Sequence, residues 1–244
     1  MKVYETGNIR NIVVMGHGGC GKTTLVEAIA YQTGITARMG KVTDGNTISD
    51  YDKEEQKRQF SISTSVVPVE FEDIKINFLD TPGYFDFVGE VEEACHAAGA
   101  AVIVINGKSG VEVGTLKAWE LCEKYKLPRL FFVTGMDDDQ ASYRKIVLEL
   151  NDRFGRKVAP FHVPIRENEK FVGFVNVVKM KGRRFINDTS EYEECDIPDY
   201  MDKHLNISRD ALVEAVADTS EELMERYFAG EEFTYEEVST ALRT

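Results

Sequence analysis

The chain has 244 residues, of which 43% are hydrophobic and 29% charged, and a formal net charge of -13. That length suits one large domain with an appended or inserted subdomain, and no apolar run reaches the roughly 18 residues that would cross a bilayer, which excludes a helical membrane protein. The acidic excess lies at one end: residues 188–244 hold 17 Asp and Glu against 4 Lys and Arg, while residues 1–187 hold 25 of each, and such a tail repels nucleic-acid phosphates rather than binding them.

In chain order, Asn11 to Met15 is a short apolar run ending at glycine, the pattern of a buried parallel strand. Lys22 to Thr33 reads as a helix stopped by Gly34. Residues 35–64 are polar and show no sustained period, so a long functional loop is predicted there. Val66–Phe71 and Ile74–Leu79 form a predicted hairpin, and a helix is predicted to end at Ala98. Ala100–Ile105 and Arg129–Val133 read as strands, Val113–Tyr125 and Gln140–Phe154 as helices. This alternation predicts a mainly parallel sheet covered on both faces. After Gly155 the rhythm changes to short strands at 161–165, 171–178 and 183–186, then acidic helices near 207–217, 220–229 and 235–243. A boundary is therefore predicted near 155, with domains at 1–155 and 156–244.

Two motifs carry the chemistry. Gly16, His17, Gly18, Gly19, Cys20, Gly21, Lys22 and Thr23 satisfy the pattern G-x-x-x-x-G-K-[ST], set between an apolar strand and a helix as a phosphate loop requires. Backbone N–H groups of such a loop, with Thr24 opening the helix, cradle phosphates; Lys22 reaches the outer ones, and the Thr23 hydroxyl ligates magnesium. Asp80-Thr81-Pro82-Gly83 ends a predicted strand, where the Asp80 carboxylate can hold magnesium through water and the Gly83 amide can sense the terminal phosphate. A nucleoside triphosphate with Mg2+ is the predicted ligand. The cysteines Cys20, Cys95, Cys122 and Cys195 show neither Cys-x-x-Cys nor zinc-ligand spacing. Met1 to Thr6 has no signal-peptide pattern, so a reducing cytoplasm is the expected compartment.

Together these motifs resemble the translational GTPases, most closely the G domain of elongation factor G. The likeness extends through Arg10-Asn11-Ile12, Asp86-Phe87, Glu90-Val91-Glu92, Ser109-Gly110-Val111-Glu112, Leu127-Pro128-Arg129, Met136-Asp137 and Glu214 to Glu225. It implies a three-layer α/β P-loop fold with a mainly parallel sheet and an inserted acidic α+β subdomain. It further implies GTP and GDP as ligands, the ribosome as partner, and a stalk-protein contact through residues 188–244. Lys57 to Ile62 falls on the first switch, where Ser61 stands in place of the usual threonine as a magnesium ligand; serine has the same donor and acceptor inventory.

Several positions leave the family pattern. Tyr84 stands where a histidine positions the attacking water, and a phenol is a poor base, so slow or altered hydrolysis is expected. Asn-Lys-x-Asp becomes Thr134-Gly135-Met136-Asp137. Asp137 can still accept from guanine, but the asparagine tie and the lysine stem over the base are gone, which predicts weaker guanine binding. Gly19 replaces an aspartate and Cys20 an alanine; Cys20 reads as a small residue that fits, or as a reactive thiol at a helix N-terminus. The family's last base contact has no counterpart before Thr244, so a fragment of a longer factor is expected. Two rivals remain: a ribosome-binding switch with lost hydrolysis, and a deviant Walker ATPase related to ParA and MinD. His17 argues against the second, which needs a lysine there.

Overall fold

The computed structural model describes residues 2–155, 158–168, 170–186 and 191–242. The chain forms two compact units, Met1–Gly135 and Met136–Thr244. The first unit contains β1 (Ile9–Gly16), α1 (Lys22–Gln32), α2 (Lys53–Arg58), β2 (Ser65–Phe71), β3 (Ile74–Asp80), α3 (Val88–Ala97), β4 (Ala100–Asn106), α4 (Val113–Tyr125) and β5 (Arg129–Thr134). Its sheet runs in the order β2-β3-β1-β4-β5; β2 is antiparallel to β3, and the other pairings are parallel.

Strand periodicity explains how this sheet is covered. Successive side chains on β1 point to opposite faces, so Val13 and Met15 join Ala94, Cys95, Ala118 and Cys122 of α3 and α4. Val14 joins Val26 and Ala30 of α1 on the other face. Both faces are therefore apolar and both carry helices, the three-layer arrangement that a near-continuous apolar strand demands. Parallel pairing of β1 with β3 sets Val14 beside Asp80, and pairing with β4 sets Gly16 beside Val104. The phosphate loop and Asp80 thus emerge at the same edge, at the carboxyl ends of the strands.

The helix α2 lies inside the stretch read from sequence as irregular. Its six residues, Lys-Glu-Glu-Gln-Lys-Arg, carry no apolar period. A capping box between Asp52 and Glu55 supports it instead, and the buried Glu55 carboxylate also accepts from Ile62 N at 2.9 Å and Ser63 N at 3.1 Å.

The second unit contains α5 (Tyr143–Phe154), an antiparallel sheet of β6 (His162–Glu167), β7 (Lys170–Asn176), β8 (Lys181–Phe185) and β9 (Tyr192–Cys195), then α6 (Asp202–Ala217), α7 (Glu221–Phe228) and α8 (Tyr235–Ala241). Val163, Ile165, Val175, Val177, Leu212 and Val238 head its core. Within the acidic stretch, residues 188–190, 243 and 244 lie outside the described residues, as does residue 243 of the predicted last helix. Among the described residues no helix is long and apolar enough to cross a membrane.

Candidate functional site

Gly16 closes β1, and the chain then turns through Gly19 and Gly21, both with positive φ, at 77° and 96°. Gly21 caps α1 in the left-handed region, a conformation that a side chain would strain. The turn leaves the first N–H groups of α1 facing the loop's concavity, with the positive end of the helix behind them. Lys22, buried, folds back so that Nζ donates to Gly16 O at 3.2 Å and His17 O at 2.9 Å. Its ammonium is thus parked on carbonyls at the mouth of the cradle. Thr24 is exposed on the first turn of α1.

At the start of α1, directly after the loop's last glycine, the metal candidates converge. Thr23 Oγ1 lies 3.2 Å from Ser61 Oγ, and Ser61 donates in turn to Asp50 Oδ1 at 2.7 Å. Asp80 is 1% exposed, and neither of its carboxyl oxygens has a hydrogen-bond partner; Asp50 Oδ2 is buried and unpartnered as well. Burial pushes the Asp80 carboxyl up to about 6, offset in part by the Ser49 and Thr23 hydroxyls and by Lys22, and raised further by Asp50. Those hydroxyls approach without completing a hydrogen bond. Burial likewise raises Asp50, against the bond from Ser61.

Orphaned buried carboxylate oxygens cost free energy unless something compensates them. A hard divalent cation bound by hydroxyls, one or two carboxylates and phosphate does so, and magnesium has that ligand habit. The residues therefore fit the ion: Thr23 and Ser61 would hold it directly and Asp80 through water, with Asp50 behind Ser61. Among the described residues no group of three His, Cys, Asp or Glu side chains could hold a metal, so phosphate oxygens would complete such a shell. Asp50 was missed in the sequence because it sits in the aperiodic stretch with no spacing to mark it.

Thr81 donates to Val14 O at 2.7 Å and so fixes the Asp80–Gly83 turn on β1. Gly83 passes against the loop so closely that a Cβ would sit 2.7 Å from Gly18 Cα and collide with the Lys22 amine. Tyr84 follows, 47% exposed, with its ring 4.7 Å from that of Phe60 and lying over Gly18. His17 turns away from the cradle. Its Nδ1 accepts from Gly114 N at 3.3 Å, and Nε2 lies 3.6 Å from Glu112 Oε1, which ties the loop to the Ser-Gly-Val-Glu motif.

The tie expected to be lost with the missing asparagine is made by a shorter side chain. Thr134 Oγ1 donates to Cys20 O at 2.6 Å and lies 3.3 Å from Ile105 O, so the end of β5 still grips the phosphate loop. Cys20 itself is buried, and desolvation raises its thiol despite Lys22 nearby. That makes it the small residue that fits rather than a reactive thiolate. Asp137 belongs to the second unit, on an exposed loop. There Arg166 donates to Met136 O at 3.2 Å, Asp138 O at 3.0 Å and Ala141 O at 2.6 Å, holding the backbone on either side of Asp137.

A strand, a glycine-rich turn and a helix N-terminus, with a buried carboxylate beside them, define a P-loop nucleotide-binding domain. More narrowly, the sequence profile of the elongation factor Tu GTP binding domain matches residues 7–239, and the chain belongs to that family, as the G domain of a translational GTPase. The chain is also similar to the crystal structure of ttk003000868 from Thermus thermophilus. Identity is 37% and the TM-score 0.88, over 96% of this chain and 35% of that one. Guanine-nucleotide binding goes with the family, which supports the GTPase reading of the loop over the ATPase one.

Proposed function

We propose that this chain is the GTP-binding domain of a ribosome-associated, translocation-type factor that hydrolyses GTP with magnesium in the cytoplasm. The observation that carries this is the set of buried Thr23, Asp50 and Asp80 with the half-buried Ser61 beside the phosphate loop, with carboxylate oxygens left unpartnered. Magnesium, when bound, supplies charge neutralisation on the phosphates. The chain's own groups do the rest. Backbone amides of residues 16–21 and Lys22 bind the phosphates, Lys22 exchanging the Gly16 and His17 carbonyls for phosphate oxygens. Gly83 offers its amide to the terminal phosphate, and the Tyr84 hydroxyl orients water without removing its proton. Thr134 holds the phosphate loop through Cys20 O, and Asp137 serves the base by accepting from guanine.

Residues 156–244 are read as the inserted subdomain, with the acidic stretch 188–244 docking a basic surface of the ribosomal stalk. No membrane contact and no direct nucleic-acid contact belong to this reading. A second reading, a ribosome-binding switch with weak turnover and relaxed guanine selectivity, rests on Tyr84 in place of the family's histidine and on Thr134 and Gly135 in place of the asparagine and lysine of the base motif.

Calorimetry with GDP and ADP, each with and without magnesium, tests the first half of the proposal. Selective, magnesium-enhanced GDP binding is expected, and equal binding of the two would overturn it. Single-turnover hydrolysis with ribosomes then separates the enzyme from the switch.

A further inference from the structure

We propose that Glu27 is a positioning residue: by fixing the segment that carries Ser49 and Asp50 to the phosphate-loop helix, it sets how much magnesium tightens nucleotide binding. The inference rests on the nucleotide site proposed above. Glu27 lies four residues after Thr23 on α1, so the two side chains leave the same face one turn apart. It is 1% exposed, and its partners are backbone amides: Oε1 accepts from Gly40 N and Oε2 from Ile48 N, both at 2.7 Å. A carboxylate at that depth is tolerable because charge-assisted bonds meet both oxygens.

What Glu27 holds leads back to the metal candidates. Two residues beyond Ile48, Asp50 accepts from Ser61 at 2.7 Å, and Ser61 meets Thr23 at 3.2 Å. Between them, Ser49 O accepts from Ser65 Oγ at 2.6 Å, joining the segment to β2. Glu27, Ile48, Asp50, Ser61 and Thr23 therefore form a closed ring that starts and ends on one face of α1. Opening the ring at Glu27 frees Asp50 and Ser61 to drift from Thr23, although Glu27 itself touches no ligand. Gly40 gives independent access to the same contact, since a Cβ there would stand 2.8 Å from Glu27 Oε1 and 2.5 Å from Asn46 O.

Glu27→Gln turns one acceptor oxygen into an amide donor facing an N–H, and Gly40→Ala pushes on the same carboxylate from outside. In the presence of magnesium each variant is expected to weaken binding of a fluorescent GDP by about tenfold. With magnesium removed by EDTA the change should stay below about twofold, because the phosphate loop is untouched. In nucleotide-free protein, trypsin should cut faster at Lys53, Lys57 or Arg58 in both variants, and the double variant should be no worse than the weaker single one. Equal losses with and without magnesium would mean a general structural defect and overturn the proposal, as would unchanged binding together with unchanged cleavage. If the parent bound no GDP, the proposed function and the magnesium coupling would both fail, while the cleavage comparison would still decide whether Glu27 holds the segment to α1.

Discussion

Replacing Thr134 by valine removes one hydroxyl and keeps the shape and β-branching that suit the end of a strand. The structure sets the size of the effect. The lost donor serves Cys20 O at 2.6 Å, and a carbonyl stripped of its donor costs about 1–3 kcal/mol when buried. Thr134 is only partly buried, so the lower half of that range applies, about 1–2 kcal/mol, or roughly a 5- to 30-fold rise in the Kd for GDP. Because the tie acts on the phosphate loop and not on the base, GDP and inosine diphosphate should weaken by the same factor. Calorimetry with both nucleotides at fixed magnesium measures this, with Thr134→Ser as the control expected within about threefold of the parent. Unchanged GDP affinity in the valine variant would refute the loop-holding role. A fall in GDP affinity alone would assign Thr134 to the base instead.

Other outcomes follow from neighbouring contacts. Gly83→Ala forces a Cβ onto Gly18 and the Lys22 amine; GTP binding should drop by about tenfold or more and GDP binding far less, and equal losses in a competition assay would argue against a terminal-phosphate role. Tyr84→His should raise ribosome-stimulated single-turnover hydrolysis by about tenfold or more, and a rate no faster than the parent's would remove Tyr84 as the cause of slow turnover. In the second unit, Arg226 and the Thr234 amide hold the Glu237 carboxyl at about 2, below its ordinary 4.5. A depressed acid stabilises above its unfolded value and loses that contribution as pH falls towards its folded one. The gap in Tm between the parent and Glu237→Gln, modest because the pair is only half-buried and reached by solvent, should therefore shrink by about half or more between pH 7 and pH 3; a constant gap would contradict the assignment.

The sheet was legible because its strands announce themselves. Val13 and Val14 can only be covered from both sides, and the glycine spacing around Lys22 has few other uses. The helix α2 was not legible, since its stability comes from a capping box and from Glu55 reaching Ile62 and Ser63, contacts without a period. The strand β9 was missed because Tyr-Glu-Glu-Cys has no apolar alternation, and its place is set by pairing with β8. Of the candidate residues, Thr23, Ser61 and Asp80 were named by motif and resemblance, whereas Asp50, Glu27 and Arg166 were not. Each acts through a partner distant in sequence, and nothing local to a lone carboxylate or guanidinium says which backbone it will hold. Thr134 carries a related lesson: the missing asparagine suggested a broken tie, but a hydroxyl at the strand end reaches the same loop.

The segment between α1 and β2 is held by carboxylates that accept from its backbone, and the side chains it buries, Thr47, Ser49, Asp50 and Glu55, are polar. Apart from Ile48, which packs on the core of the first unit, releasing it would expose mainly polar side chains and backbone, so its opening would carry only a small heat-capacity change. Such a transition is close to invisible in a melting curve, yet it would stand out in amide hydrogen exchange at Gly40, Ile48 and Ile62. This segment would thus be a part of the protein whose equilibrium responds to charge, while the apolar core beneath it responds to temperature.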